Sequence, residues 1–231
     1  MKNLSSIFSI VILSVFLSAP AHSGTVMVFG ASGGDFSVNV TSQKEARFKT
    51  TRQQQYDFSC GSAALATLLT FHYEKPVSEE AIFKTMYDAG NQNKIRKYGF
   101  SLLDMKNYLN GRGYQSDGFR ISLDKLKGVG IPAIVLINHK GYKHFVVVKG
   151  ITSTEVLIGD PANGVRRIPR TQFESMWNGL LFVIRNKEEI AKQYFNQDNE
   201  WNINPRPPLN LALGHQELSN ITWMLPGKND F

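Results

Sequence analysis

Residues 52–69 read Arg52-Gln53-Gln54-Gln55-Tyr56-Asp57-Phe58-Ser59-Cys60-Gly61-Ser62-Ala63-Ala64-Leu65-Ala66-Thr67-Leu68-Leu69, and their character changes at Cys60. Before it the residues are polar and aromatic, without a period. After it Ala and Leu, both good helix formers, recur at helical spacing. Cys60 therefore stands at or just before a helix N-terminus. The partial positive charge there favours a thiolate, and the thiolate, not the thiol, is the effective nucleophile. Gly61 would let other backbone come close to the sulfur, and Ser62, Ala63 and Ala64 leave the first turn uncrowded. The chain of 231 residues has one Cys, so Cys60 has no intramolecular disulfide partner. Such a thiol is a candidate reactive group; the alternative is a buried structural Cys, since free Cys is among the most buried residue types.

Moving downstream, Ser78 can cap a helix running to about Asp88. Asn91 to Lys97 is polar and reads as a loop. Ser101 followed by Asp104 has the form of a capping box, with Leu102, Leu103, Met105 and Leu109 giving that helix an apolar side and Gly111 a stop. Ser122 caps a short helical turn ending near Gly128. The period then shortens. Ile131 to Ile137 is a buried strand, Asn138 to Lys143 a turn, His144 to Val148 a second strand and Glu155 to Ile158 a third. Asp160-Pro161-Ala162-Asn163-Gly164 is a strong turn signal, and Val165 to Ile168 and Leu180 to Ile184 can add two strands. Helices first and strands after predict an α+β fold with an antiparallel sheet, not a parallel βαβ arrangement.

The two ends differ from this middle. Lys2, the apolar stretch Ile7 to Leu17 and the small residues around Ala19 to Ser23 read as a secretory signal peptide over 1–23. Its apolar part is shorter than the roughly 20 residues a membrane span needs, which leaves an uncleaved anchor as the weaker alternative. Residues 24–45 form an N-terminal arm, with alternation such as Phe36-Ser37-Val38-Asn39-Val40 suggesting a strand or two. After Lys187 a short helix to Tyr194 is followed by an irregular tail, in which Trp201 and Trp223 suggest partial packing on the domain. No later segment reaches transmembrane length, so the expected product is soluble and extracytoplasmic. The formal charge is +7, but Lys and Arg are scattered with no run of five like charges, which argues for a mildly basic surface rather than nucleic-acid binding.

Four residues combine into a candidate reaction centre. Gln54, six residues before Cys60, can offer a side-chain N–H to a developing oxyanion, a contribution of about 2.7–4 kcal/mol for such a donor. Gln53 and Gln55 flank it, so the choice rests on spacing, and a solvated Gln loop is the bland alternative. Two His residues compete as base. His144 opens a strand and His139 sits in the preceding turn, and a strand start holds a base more rigidly than a turn apex. Asp160 follows the next strand, sixteen residues on, where antiparallel strands joined by a turn would bring it beside His144 to orient the imidazole. The alternatives are a turn-forming Asp before Pro161 and a hydrogen-bonded core His.

The run Arg52 to Gly61 resembles the nucleophile motif of the C39 cysteine peptidases, and His144-Phe145-Val146-Val147-Val148 and Asp160-Pro161 resemble that family's other two blocks. Ser101 to Lys106 and Phe173 to Gly179 are also similar to its stand-alone members. The resemblance covers about 46–186, leaving 187–231 as the C-terminal helix and tail. It implies a papain-like fold with Cys60 as nucleophile, His144 as base, Asp160 as orienter and Gln54 as oxyanion donor, a polypeptide substrate, and no metal or organic cofactor. Ser59 departs from the Asp that usually precedes the nucleophile in transporter-linked members, and no ATPase motif is present, which puts double-Gly cleavage in question. The exported, stand-alone arrangement is more similar to the C39-like members of functional-amyloid secretion systems, which implies a periplasmic location. A catalytically silent peptide-binding factor and a thiol acyltransferase with the same triad remain as rivals.

Overall fold

The computed structural model describes residues 24–29, 35–40, 42–139 and 141–202; the expected signal peptide and Trp223 lie outside them. The chain divides into two compact units, 1–42 and 43–231. In the first, β1 (Gly24–Phe29) and β2 (Asp35–Val40) pair antiparallel, Gly24 opposite Val40 and Phe29 opposite Asp35, so the alternating residues of the arm do form two strands.

In the second unit the helices come first: α1 (Gln43–Phe48), α2 (Cys60–His72), α3 (Glu79–Ala89), α4 (Gln92–Tyr98) and α5 (Leu102–Asn110). Then follow β3 (Ser116–Arg120), α6 (Leu123–Val129), β4 (Ala133–His139), β5 (Tyr142–Ile151), β6 (Glu155–Asp160), β7 (Gly164–Pro169), α7 (Arg170–Met176), β8 (Trp177–Ile184), α8 (Glu188–Lys192) and α9 (Asp198–Trp201). The six strands of this unit make one sheet in the order β3-β8-β4-β5-β6-β7, with every pairing antiparallel. The expected α+β architecture is the observed one.

Helix α2 organises the core. Ala63, Ala64, Leu65, Ala66 and Leu68 are fully buried, and a helix that is apolar nearly all round belongs inside. It packs on β4, β5 and β6 on one side and on α3 and α5 on the other. The caps read from sequence are in place. Ser78 Oγ accepts from Ala81 N at 3.2 Å, Ser122 Oγ accepts from Lys125 N at 3.3 Å, and Ser101 and Asp104 close a reciprocal capping box.

Several local expectations are corrected. Residues 92–98 are helical, not a loop: Asn91 caps α4 through Oδ1, which accepts from Lys94 N at 3.1 Å, and the single apolar residue Ile95 anchors the helix by burial. Helix α6 runs on to Val129, because the left-handed stop is Gly130 at φ +69° and not Gly128. Strand β3 and helix α7 lay in stretches without a clear period. The turn before His144 is shorter than expected: β4 continues to His139 and β5 begins at Tyr142, with Gly141 at φ +90° donating its N–H to Asn138 Oδ1 at 2.9 Å. The start of the tail is ordered too. Asn196 Oδ1 accepts from Ile151 N at 2.7 Å, and Trp201 packs against Gly150. Glu200 of α9 is buried against Lys149.

Candidate active site

Cys60 is the first residue of α2, 7% exposed. The Ser59 hydroxyl does not cap the helix. It closes the preceding turn, accepting from Tyr56 N at 3.1 Å and donating to Tyr56 O at 3.0 Å. The first turn keeps its N–H groups unpaired by side chains, as an electropositive helix end requires. Gly61 serves packing rather than approach to the sulfur: a Cβ there would meet Met105 Cε at 2.9 Å and Phe100 Cβ at 3.0 Å. Within the same first turn, Ser62 Oγ lies 2.8 Å from Ser59 O and 2.7 Å from Glu79 Oε1. A hydroxyl has one proton for these two oxygens, so they share it or compete for it. Burial raises the Glu79 pKa, against the hydrogen bonds from Ser62 and Ser59 that lower it.

His144 is the third residue of β5, not its opening residue, and Asp160 is the last of β6. The pair Val147↔Gly159 places them on one face of adjacent strands, a diagonal apart. Their side chains meet at 2.8 Å, Nε2 to Oδ1, with both residues buried. Burial alone would lower the His144 pKa. The hydrogen bond to Asp160 and the nearby Cys60 sulfur more than offset it and raise it to about 9. Burial alone would raise the Asp160 pKa, but His144, the Asn163 amide and the Ala162 N–H bring it down to about 2. The other ring nitrogen, Nδ1, has no hydrogen-bond partner. The Cys60 sulfur is near enough to raise the imidazole pKa, and contacts of this kind often tighten when substrate binds. Asp160 also shapes its turn, Oδ1 accepting from Ala162 N at 2.9 Å and Asn163 N at 3.3 Å. Turn formation and His orientation thus share one carboxylate.

His139 is exposed at the end of β4, opposite Tyr142. Burial and the bond to Asp160, not strand against turn, separate the two histidines. The three glutamines also separate: Gln53 and Gln55 are exposed, while Gln54 is half-buried and its N–H donates to Pro161 O at 3.0 Å. This ties Gln54 to the turn after Asp160. Its Nε2 donates to Tyr56 O at 3.1 Å; the amide carries a second hydrogen.

Three neighbours escaped the sequence reading. Tyr142 stacks on the His144 ring, centroids 5.8 Å apart. Asn163 Nδ2 donates to Asp160 Oδ2 at 2.9 Å, and an Arg166 guanidinium lies 3.3 Å from the same oxygen. Asn163 and Arg166 were legible only as turn and strand residues. Tyr142 sat in an assumed turn, where no side chain has a defined direction.

A Peptidase C39 family profile matches residues 47–189. The chain belongs to the peptidase C39 family. It is 40% identical over 173 residues to a probable functional amyloid protease, FapD, of Pseudomonas fluorescens, covering 74% of this chain and 76% of that protein. The FapD of Pseudomonas aeruginosa is 42% identical over 152 residues, covering 66% of this chain and 67% of that one. The peptidase domain of Streptococcus ComA, a bi-functional ABC transporter in a quorum sensing pathway, matches with a TM-score of 0.50 at 23% identity, covering 58% of this chain and 96% of that domain. That likeness is one of fold. As a C39 member this chain is a cysteine peptidase, a hydrolase whose substrate is a polypeptide. No described helix is long and apolar enough to cross a membrane.

Proposed function

We propose that this C39 peptidase works in the periplasm after export by a signal peptide over 1–23, and cleaves a protein of a functional-amyloid secretion system. The likeness to the two FapD proteins supports the setting. The observation that carries the chemical reading is the buried His144–Asp160 pair, 2.8 Å apart, whose free Nδ1 is left for Cys60. In this reading Cys60 gives its proton to His144 and attacks the scissile carbonyl carbon. A C–S bond forms and the C=O π pair moves onto oxygen. The Cys60 N–H and Gln54 Nε2 hold that oxyanion. The C–N bond then breaks as His144 protonates the leaving amine. Water, deprotonated by His144, attacks the thioester, the C–S bond breaks, and the acid leaves. Asp160 holds the imidazole in the tautomer that presents Nδ1 to the sulfur and supports its positive charge.

Mass spectrometry of periplasmic and secreted proteins from cells carrying wild type or Cys60→Ala tests this. The expected result is a new protein terminus, within a component of the amyloid system, that is present only with wild type. Identical termini in both strains, with slow iodoacetamide labelling of Cys60, would instead favour a silent peptide binder.

A further inference from the structure

Tyr142 is 55% exposed, yet its ring lies against a buried one, that of His144. It is the first residue of β5, directly after the tight turn at Gly141, and it pairs with His139 across that turn. Residues two apart on a strand share a face, so Tyr142 and His144 stand side by side. Their centroids are 5.8 Å apart and their planes 26° from parallel. At the other end of the side chain, Oη donates to Asp57 O at 3.5 Å, a long hydrogen bond. Asp57 lies in the turn that Ser59 closes just before Cys60. One side chain thus touches both the strand that carries His144 and the turn that leads into Cys60.

The imidazole has something to gain from this. Asp160 holds it at Nε2, and Nδ1 has no hydrogen-bond partner. A single hydrogen bond fixes one edge of a ring but not its plane. A ring stacked against it fixes the plane. With its pKa raised to about 9, His144 carries a positive charge at neutral pH. An aromatic face attracts a cation within about 6 Å of its centroid, which an aliphatic side chain does not. The titratable and charged groups around the imidazole are Cys60 on α2, Asp160 at the end of β6 with Arg166 of β7 behind it, and Tyr142 itself. Burial raises the Tyr142 pKa, and the negative charges of Cys60, Asp57 and Asp160 raise it further. The phenol therefore stays neutral. It supplies a π face without adding an anion beside the thiol.

We propose that Tyr142 is a positioning residue of the reaction: its ring fixes the plane of the His144 imidazole and steadies its positive charge, so that Nδ1 is presented to Cys60. This role rests on the reading of Cys60 as nucleophile and His144 as base.

NMR titration of the His144 ring in the purified chain tests it, with Tyr142→Leu and Tyr142→Phe beside wild type. Leu keeps an apolar cover and loses the π face. Phe keeps the face and loses only the long hydroxyl bond. The wild-type midpoint is expected near 9. Tyr142→Leu should lower it by about half a pH unit, and Tyr142→Phe should titrate with wild type. The pH profile of Cys60 labelling by iodoacetamide should move in Tyr142→Leu and be restored in Tyr142→Phe. Both variants are expected to fold, because the side chain stands at an exposed hairpin end. An unchanged or raised midpoint in Tyr142→Leu overturns the proposal, since loss of cover alone pushes an imidazole pKa up. An equal fall in both variants overturns it too, because the hydroxyl and not the ring would then be at work. The labelling separates this failure from that of the reaction centre. Labelling that depends on His144, with an unmoved midpoint in Tyr142→Leu, removes Tyr142 alone; labelling indifferent to His144→Ala removes the reaction centre and the role of Tyr142 with it.

Discussion

Strand β5 carries two buried ion pairs five residues apart, and they are used differently. At His144 the imidazole is held by Asp160 through Nε2, while Nδ1 is left without a partner close to Cys60. At Lys149 the ammonium is saturated: Nζ donates to Thr50 O and Thr50 Oγ1, each at 2.8 Å, and to Glu200 Oε1. Burial lowers the Lys149 pKa, and Glu200 works against that. The Lys149 pair ties the segment leading to Gln54 and the start of the C-terminal region to the same strand. A buried cation whose donors are all engaged holds architecture together. In the reading proposed above, the one that keeps a nitrogen free serves the thiol.

The largest expected effect breaks the comparison at its reactive end. His144→Ala should abolish hydrolysis and make the iodoacetamide labelling of Cys60 insensitive to pH where wild type responds, read by mass spectrometry on one folded preparation. Labelling with an unchanged pH profile would take His144 out of the site. Asp160→Asn comes next. The amide keeps the size and the turn bonds but loses the charge that supports imidazolium, so the His144 pKa should fall and hydrolysis should drop on the order of 10³–10⁴-fold while staying detectable. If Asp160 only shapes its turn, Asn serves nearly as well and activity persists.

At the other pair, Glu200→Ala leaves a buried ammonium short of its counter-charge. Breaking such a pair from one side costs about 3–5 kcal/mol, visible as a lowered Tm. Labelling of Cys60 in the folded variant should keep its wild-type pH profile; a changed profile would mean the two pairs are not separable. A smaller effect comes from pH. The folded His144 pKa, about 9, lies above its ordinary value of 6.5, so its stabilisation is full below 6.5 and is lost as pH rises through 9. Asp160, about 2 against an ordinary 3.8, stabilises above 3.8 and loses that as pH falls through 2. Denaturant melts from pH 6 to 10 should show a decline for wild type that His144→Ala lacks. Smallest of all, His139→Ala should leave hydrolysis almost untouched, because that side chain is exposed; a dead variant would reverse the choice of base.

The order of residues along the chain settled the parts that depend on near neighbours. The Ala-Leu run after Cys60 makes α2, the Ser and Asp residues at 78, 101, 104 and 122 place helix starts, and the shorter period from Ile131 makes strands. Helix nucleation, capping and strand alternation act over a few residues, so they leave a local trace. Helix α4 was hidden because burial of Ile95 in the assembled core holds it, not an apolar stripe of its own. Spacing alone singled out Gln54 and a strand start singled out His144; the bond from Gln54 N to Pro161 O, the β5–β6 register and the buried Asp160 contact are features of those residues that no local pattern showed. The roles of Arg166, Lys149 and Glu200 depend on which strands and helices come together, across separations of up to 51 residues for Lys149 and Glu200. Contacts between distant segments leave no period in the sequence, because they are selected by packing and pairing once the chain has folded. The residue types and their order thus decided most of the elements, α2, α3, α5 and the central strands among them, and which side chains are candidates for chemistry. Only the tertiary structure decided which of those side chains meet, because burial and strand register set their distances and local propensity does not.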